Sequence, residues 1–174
     1  IRDSRSILWP FMKRRFDYGT SEGLLQQLHP VRGKKMFIPP MLMTILCFLA
    51  GALTFQSLLL LPVALLLFLV DTVSTTSKIR KQGLQLSHLK VLLARGRAVG
   101  SLGYYLGYHL LRYYLLPFLL LVFLYPPLGL LLLCCILGVG LVDYRVRNPS
   151  MALAAFYLYY VLEQISYGMG VFWG

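Results

Sequence analysis

Between residues 37 and 142 the chain is a succession of apolar runs, and this constrains the fold more than any other feature. Residues 37–55, 58–70 and 128–142 contain no charged side chain, and residues 104–125 contain only Arg112 and His109 as titratable groups besides tyrosine. Apolar continuity without strict alternation suits helices, which satisfy their own amides where no water is present. A helix rises about 1.5 Å per residue and a bilayer core is about 30 Å thick, so roughly 20 residues span it. The first and third runs meet that length. The second and fourth are short unless they extend into their flanks. The expected fold is therefore all-α, a membrane helical bundle of two transmembrane helical hairpins plus interfacial amphipathic helices.

Charge placement orders these runs. Only 13% of the chain is charged, against about 25% in soluble domains, yet 17 Lys and Arg face 6 acids, a net charge of +11. The cations occupy residues 1–36, 71–100 and 145–147, with Arg112 near the start of the third run. The turns at Gln56-Ser57 and Tyr125-Pro126-Pro127 carry none. The positive-inside rule then places both turns outside and every basic segment, with the termini, in the cytoplasm. Four crossings return each basic segment to the same side. The expected localisation is thus a multi-pass cell-membrane protein in contact with the lipid bilayer. The cations are divided among membrane flanks and form no recognition stripe, which argues against nucleic acid as a partner.

This reading divides the chain into a basic juxtamembrane segment 1–36, a first hairpin 37–73, a cytoplasmic amphipathic segment 74–100, a second hairpin 101–143 and a C-terminal aromatic helix 144–174. The chain opens at Ile1 on a polar, basic lead and reads as the C-terminal part of something longer. Residues 84–100 set leucines among Lys90, Arg95 and Arg97, the pattern of a helix lying in the interface. Gly96, Gly100, Gly103 and Gly107 recur at helical spacing and make a smooth stripe that a partner helix would approach closely. Cys47, Cys134 and Cys135 lie inside apolar runs and read as small buried hydrophobes. Tyr104, Tyr105, Tyr108, Tyr113 and Tyr114 suit a headgroup-level belt, with sugar stacking as the other reading.

Few residues of the chain offer chemistry. His29, His88 and His109 lack metal-ligand spacing. Asp71 and Asp143 each close an apolar run and read as helix-end polar residues beside a short charged loop, 143–149. Glu163 is buried if 150–172 crosses the membrane and then needs a partner, for which Arg112 is a candidate. If that segment lies in the interface, Glu163 faces water. There is no Asp-x-Asp, no phosphate-cradling glycine loop and no nucleophile set. In residues 1–36, Arg14 and Arg15 would stabilise a diphosphate, Tyr18 would stack on a sugar or base, Gly19 would permit a tight turn, and Thr20 or Ser21 would cap a helix from Glu22 to Leu28. The alternative is a basic linker held to anionic headgroups.

Arg14-Arg15-Phe16-Asp17-Tyr18-Gly19-Thr20-Ser21, with Leu24-Leu25 and His29-Pro30, resembles a segment of the mycofactocin-system glycosyltransferases. In those family 2 enzymes a Tyr-Gly-Thr-Ser stretch ending in His joins the catalytic domain to membrane helices. Asp143-Tyr144-Arg145-Val146-Arg147-Asn148-Pro149 and Tyr167-Gly168-Met169-Gly170-Val171-Phe172-Trp173-Gly174 are similar to that family's endings, with Phe172 standing before Trp173. Residues 37–142 are similar in hydropathy alone. The resemblance implies an inverting hexosyltransferase that draws on a nucleotide sugar donor, with a peptide-derived redox cofactor or related acceptor. It implies donor or substrate contacts at Arg14, Arg15, Tyr18, Thr20 and Ser21. It places a divalent metal (Mg or Mn), its Asp-x-Asp motif and the catalytic carboxylates upstream of this chain. The competing reading is a non-enzymatic membrane scaffold or subunit that packs a partner through its glycine stripe. A transporter ranks behind both, because it would need buried paired charges.

Overall fold

The computed structural model describes residues 5–29 and 38–174. Pro30, the rest of the juxtamembrane segment to residue 36, and the start of the first run lie outside the described residues, as do residues 1–4. The described residues form six helices and no strand: α1 (Arg5–Leu28), α2 (Pro40–Thr54), α3 (Leu60–Lys81), α4 (His88–Leu124), α5 (Leu128–Arg147) and α6 (Leu153–Trp173). The protein is an all-α helical bundle. Three helices, α3, α4 and α5, are long and apolar enough to cross a membrane. Their leucines stay largely outside the protein core: Leu65, Leu66, Leu69, Leu120, Leu124 and Leu133 are all exposed. Apolar surface on that scale is not left to water in soluble monomers; hydrocarbon is the solvent that suits it.

Helix boundaries follow local chemistry. Pro39 is extended and Pro40 opens α2, a position where a missing N–H and a fixed φ cost nothing. That start leaves α2 at 15 residues, about 22 Å long, shorter than the spanning length expected of the first run. Gln56 turns the chain with φ 50°, and Leu60 N–H bonds the Ser57 carbonyl at 3.2 Å. Leu128 N–H likewise bonds the Tyr125 carbonyl at 3.1 Å across Pro126-Pro127.

The second and fourth runs extend well past their apolar parts. Asp71 and Asp143 are therefore not helix-end residues. Asp71 lies within α3 and Asp143 within α5, both buried. Asp71 Oδ2 takes both Arg95 Nε at 2.6 Å and Arg95 Nη2 at 2.5 Å, so the chain does hold a buried ion pair. Asp143 pairs with Arg147 one turn on, at 3.3 Å. Pairing lets the helices carry their acids inward and continue. The loop expected over 143–149 shrinks accordingly: helix persists to Arg147, where Asn148 in the left-handed region (φ 42°) ends it. The amphipathic stretch 84–100 is not a separate helix. From His88 it runs on into the third apolar run as α4.

The chain divides into two units, with the division inside α4. One is Met36–Leu106 in its described residues. It packs α2 on α3 around Leu42, Ile45, Ala64 and Val91, and Gly103 faces Leu46. The other joins the described residues of Ile1–Lys35 to Gly107–Gly174, around Leu111, Leu115, Leu132, Val139, Phe156 and Tyr160. Cys47 and Cys134 are exposed on α2 and α5, which corrects their expected burial, while Cys135 is half-buried beside Gly107 of α4.

Candidate functional site at the α1–α6 junction

The two stretches that carry the family resemblance come together. Tyr18-Gly19-Thr20-Ser21 lies within α1, and Tyr167-Gly168-Met169-Gly170 within α6. Gly19 and Gly23 recur four residues apart on α1, as do Gly170 and Gly174 at the chain's end. A Cβ at Gly19 would collide with the Tyr167 carbonyl and stand 2.9 Å from Val171 N. A Cβ at Gly170 would collide with the Phe16 carbonyl and stand 3.0 Å from Thr20 N. Gly23 meets the Val171 carbonyl in the same way, at 2.8 Å. Backbone therefore lies directly on backbone, an approach that only glycine allows. Gln27 Nε2 closes the junction by donating to the Gly174 carbonyl at 3.0 Å.

This geometry corrects the local reading of residues 14–28. Gly19 makes no turn, and Thr20 and Ser21 cap no helix. Thr20 Oγ1 donates to the Phe16 carbonyl at 3.1 Å, and Ser21 Oγ to the Asp17 carbonyl at 2.9 Å, each one turn back in α1. A glycine inside a helix costs about 1 kcal/mol relative to alanine. Here the α6 contact overrides that local preference.

Charges line the junction. Arg15 Nη2 lies 3.4 Å from Glu163 Oε1, so Glu163 finds its partner on α1 and not in Arg112. The Arg112 guanidinium instead covers the Tyr167 ring at 3.6 Å and donates from Nη1 to the Tyr108 hydroxyl at 2.9 Å. Glu22 accepts from the Tyr113 hydroxyl at 2.7 Å, and Tyr113 stacks on His109 with the rings 12° from parallel. Tyr108 and Tyr113 are thus internal partners of charged groups, whereas Tyr105 and Tyr114 remain exposed as belt residues would.

On α6, Gln164 and Ser166 are almost fully buried, and Gln164 Oε1 and Ser166 Oγ meet no hydrogen-bond donor among the described residues. A buried polar atom left so costs about 1–3 kcal/mol. Tyr157 donates to the Leu137 carbonyl at 2.6 Å.

The residues singled out from the sequence sort as follows. Arg14, Arg15 and Tyr18, with Pro10 and Phe11, line a cavity of about 480 Å³. Thr20 and Ser21 sit on the same helix, with hydroxyls engaged by their own backbone. Two guanidinium groups beside an aromatic ring offer a phosphate paired donors and a base or sugar a stacking face. The glycine stripe on α4 is heterogeneous. Gly107 packs tightly, 2.9 Å from Val139 Cγ2 to a notional Cβ, whereas Gly100 has open space. Gly23 was not singled out from the sequence, and the packing roles of Gly170, Gly174, Glu22 and Gln164 at this junction were not read from it. The four-residue spacing of both glycine pairs was the available signal. No group of three His, Cys, Asp or Glu able to hold a metal ion occurs among the described residues. Comparison with protein-family models, curated proteins and solved structures returns no match.

Proposed function

We propose that this chain is the C-terminal membrane region of a family 2 inverting glycosyltransferase, similar to the mycofactocin-system enzymes. In this reading it transfers a hexose from a nucleotide sugar onto a peptide-derived redox cofactor or a related acceptor. The observation that carries the reading is the α1–α6 junction: the two resemblance motifs, from opposite ends of the chain, are in backbone contact. Residues needed for one job at one place would be arranged so. Arg14 and Arg15 would steady the donor's diphosphate, and Tyr18 would stack on its base or sugar. Glu163 would orient Arg15, as their ion pair suggests. A divalent metal would serve the donor diphosphate from carboxylates outside this chain. The membrane helices would hold the site at the cytoplasmic face, with basic segments inside as the charge distribution favours.

The test is transfer of labelled hexose from nucleotide-sugar donors by membranes containing the full gene product. Arg14→Ala with Arg15→Ala should lower turnover while leaving membrane attachment intact. Absence of transfer from every nucleotide-sugar donor, or full turnover in the double variant, would remove the reading.

A scaffold that packs a partner helix is the second reading. Gly96 and Gly100 favour it, because both are exposed and Gly100 has nothing within 4 Å of a notional Cβ.

A further inference from the structure

The loop between α3 and α4 is a rigid cationic elbow. Gly83 (φ 84°) ends α3. Its N–H bonds the Arg80 carbonyl at 3.0 Å, and Leu84 N–H bonds the Ile79 carbonyl at 3.3 Å, the double closure that locks a helix terminus. The last turn of α3 carries Lys78, Arg80 and Lys81. Arg80 Nη2 reaches across and donates to His88 Nε2, at the start of α4, at 2.9 Å. Arg80, Gly83, Gln85, Leu86 and Ser87 line a cavity of about 550 Å³.

No acid offsets these cations. Residues 72–142 contain no Asp or Glu, and Asp71, the one acid of Met36–Leu106, is taken by Arg95. Beside the cations stand Leu84, Leu86 and Leu89, which are 58%, 42% and 62% exposed. Cations would attract any anion. Leucines beside them select an anion that brings hydrocarbon with it.

We infer that the α3–α4 elbow is a docking surface for the phosphate headgroup of an anionic phospholipid. The phosphate sits against Arg80 and Lys81, and the leucines meet the upper acyl chain. The reading rests on the membrane character of the fold and is independent of glycosyl transfer.

The full chain, purified in dodecyl maltoside, is followed by its thermal unfolding midpoint while one of three probes is titrated. These are dioleoyl phosphatidylglycerol, phosphatidylcholine with the same chains, and inorganic phosphate. Phosphatidylglycerol should raise the midpoint saturably, at a half-effect concentration about tenfold below that of phosphatidylcholine. Arg80→Gln with Lys81→Gln, both exposed, should remove that preference, and Arg145→Gln at the end of α5 should keep it. Leu84→Ser with Leu86→Ser keeps every cation and should still weaken the phosphatidylglycerol response. This second pair carries the test if the first fails to fold. Equal responses to the two lipids, an undiminished response in the tested pair, or the same upshift from inorganic phosphate alone would each overturn the inference.

Discussion

Gly19 of α1 and Gly170 of α6 lie back to back, so close that a methyl group on either would strike the other helix's backbone carbonyl. The junction they form joins the two ends of the chain; Gln27 and Gly174, bonded within it, are 147 residues apart. Backbone lying directly on backbone gives α1 and α6 extensive van der Waals contact, and that packing carries their association.

The first prediction concerns that contact. Gly170→Val should destabilise the chain by about 3 kcal/mol, within the range for overpacked sites, read as the unfolding midpoint in detergent. Gly100→Ala, in open space, should be neutral or stabilising by up to about 1 kcal/mol. Equal behaviour of the two variants would contradict the packing.

Asp71 and Arg95 are both largely withdrawn from solvent. Asp71→Ala should cost about 3 kcal/mol, because Arg95 is left as an uncompensated buried charge. Asp71→Leu combined with Arg95→Met should recover most of that loss. Chemical denaturation of the single and double variants reads the difference.

For Arg15 and Glu163 the expected coupling is smaller. Arg15 is one-third exposed, so a double-mutant cycle of Arg15→Ala and Glu163→Gln should return about 0.5–1 kcal/mol. The cycle pairing Arg112→Ala with Glu163→Gln should return a value near zero, since Arg112 stacks on Tyr167.

Tyr113→Phe removes the hydroxyl that Glu22 accepts. The carboxylate keeps the Gln26 amide at 3.4 Å, so the loss should be about 1–2 kcal/mol. In a Glu22→Ala background, where the acceptor is already gone, the loss should shrink towards zero; an undiminished loss would contradict the pair. Thermal melts of the four species decide.

Topology is checked by accessibility. Cysteines introduced at Lys78 and Arg145, in a background lacking Cys47, Cys134 and Cys135, should label from the cytoplasmic side. Those at Gln56 and Tyr125 should label from the opposite side. The reverse pattern would move both basic helix ends outside.

Much of the architecture was legible before any coordinates. Hydropathy is a local property, so the apolar runs marked the helices, and Gln56-Ser57 and Pro126-Pro127 marked the turns between them. The site was less legible. Residues 22–28 read as helix, but residues 14–21 carry a glycine and hydroxyls, a turn composition by local propensity, and the helix runs through them with Gly19 set against α6. The extensions of α3 and α5 past Asp71 and Asp143 were hidden for the same kind of reason: an acid at the end of an apolar run reads as a boundary until its arginine is located.

By itself, the sequence determined the helical class, the apolar runs suited to lipid and the segregation of cations into flanks. All three depend on side-chain type and spacing along one stretch of chain. Only the tertiary structure decided that Glu163 belongs to Arg15, that Arg112 belongs to Tyr167 and that the chain's two ends meet at glycines. Those outcomes depend on which surfaces come within a few ångströms of each other, and pairing between distant segments leaves no periodic trace in either one.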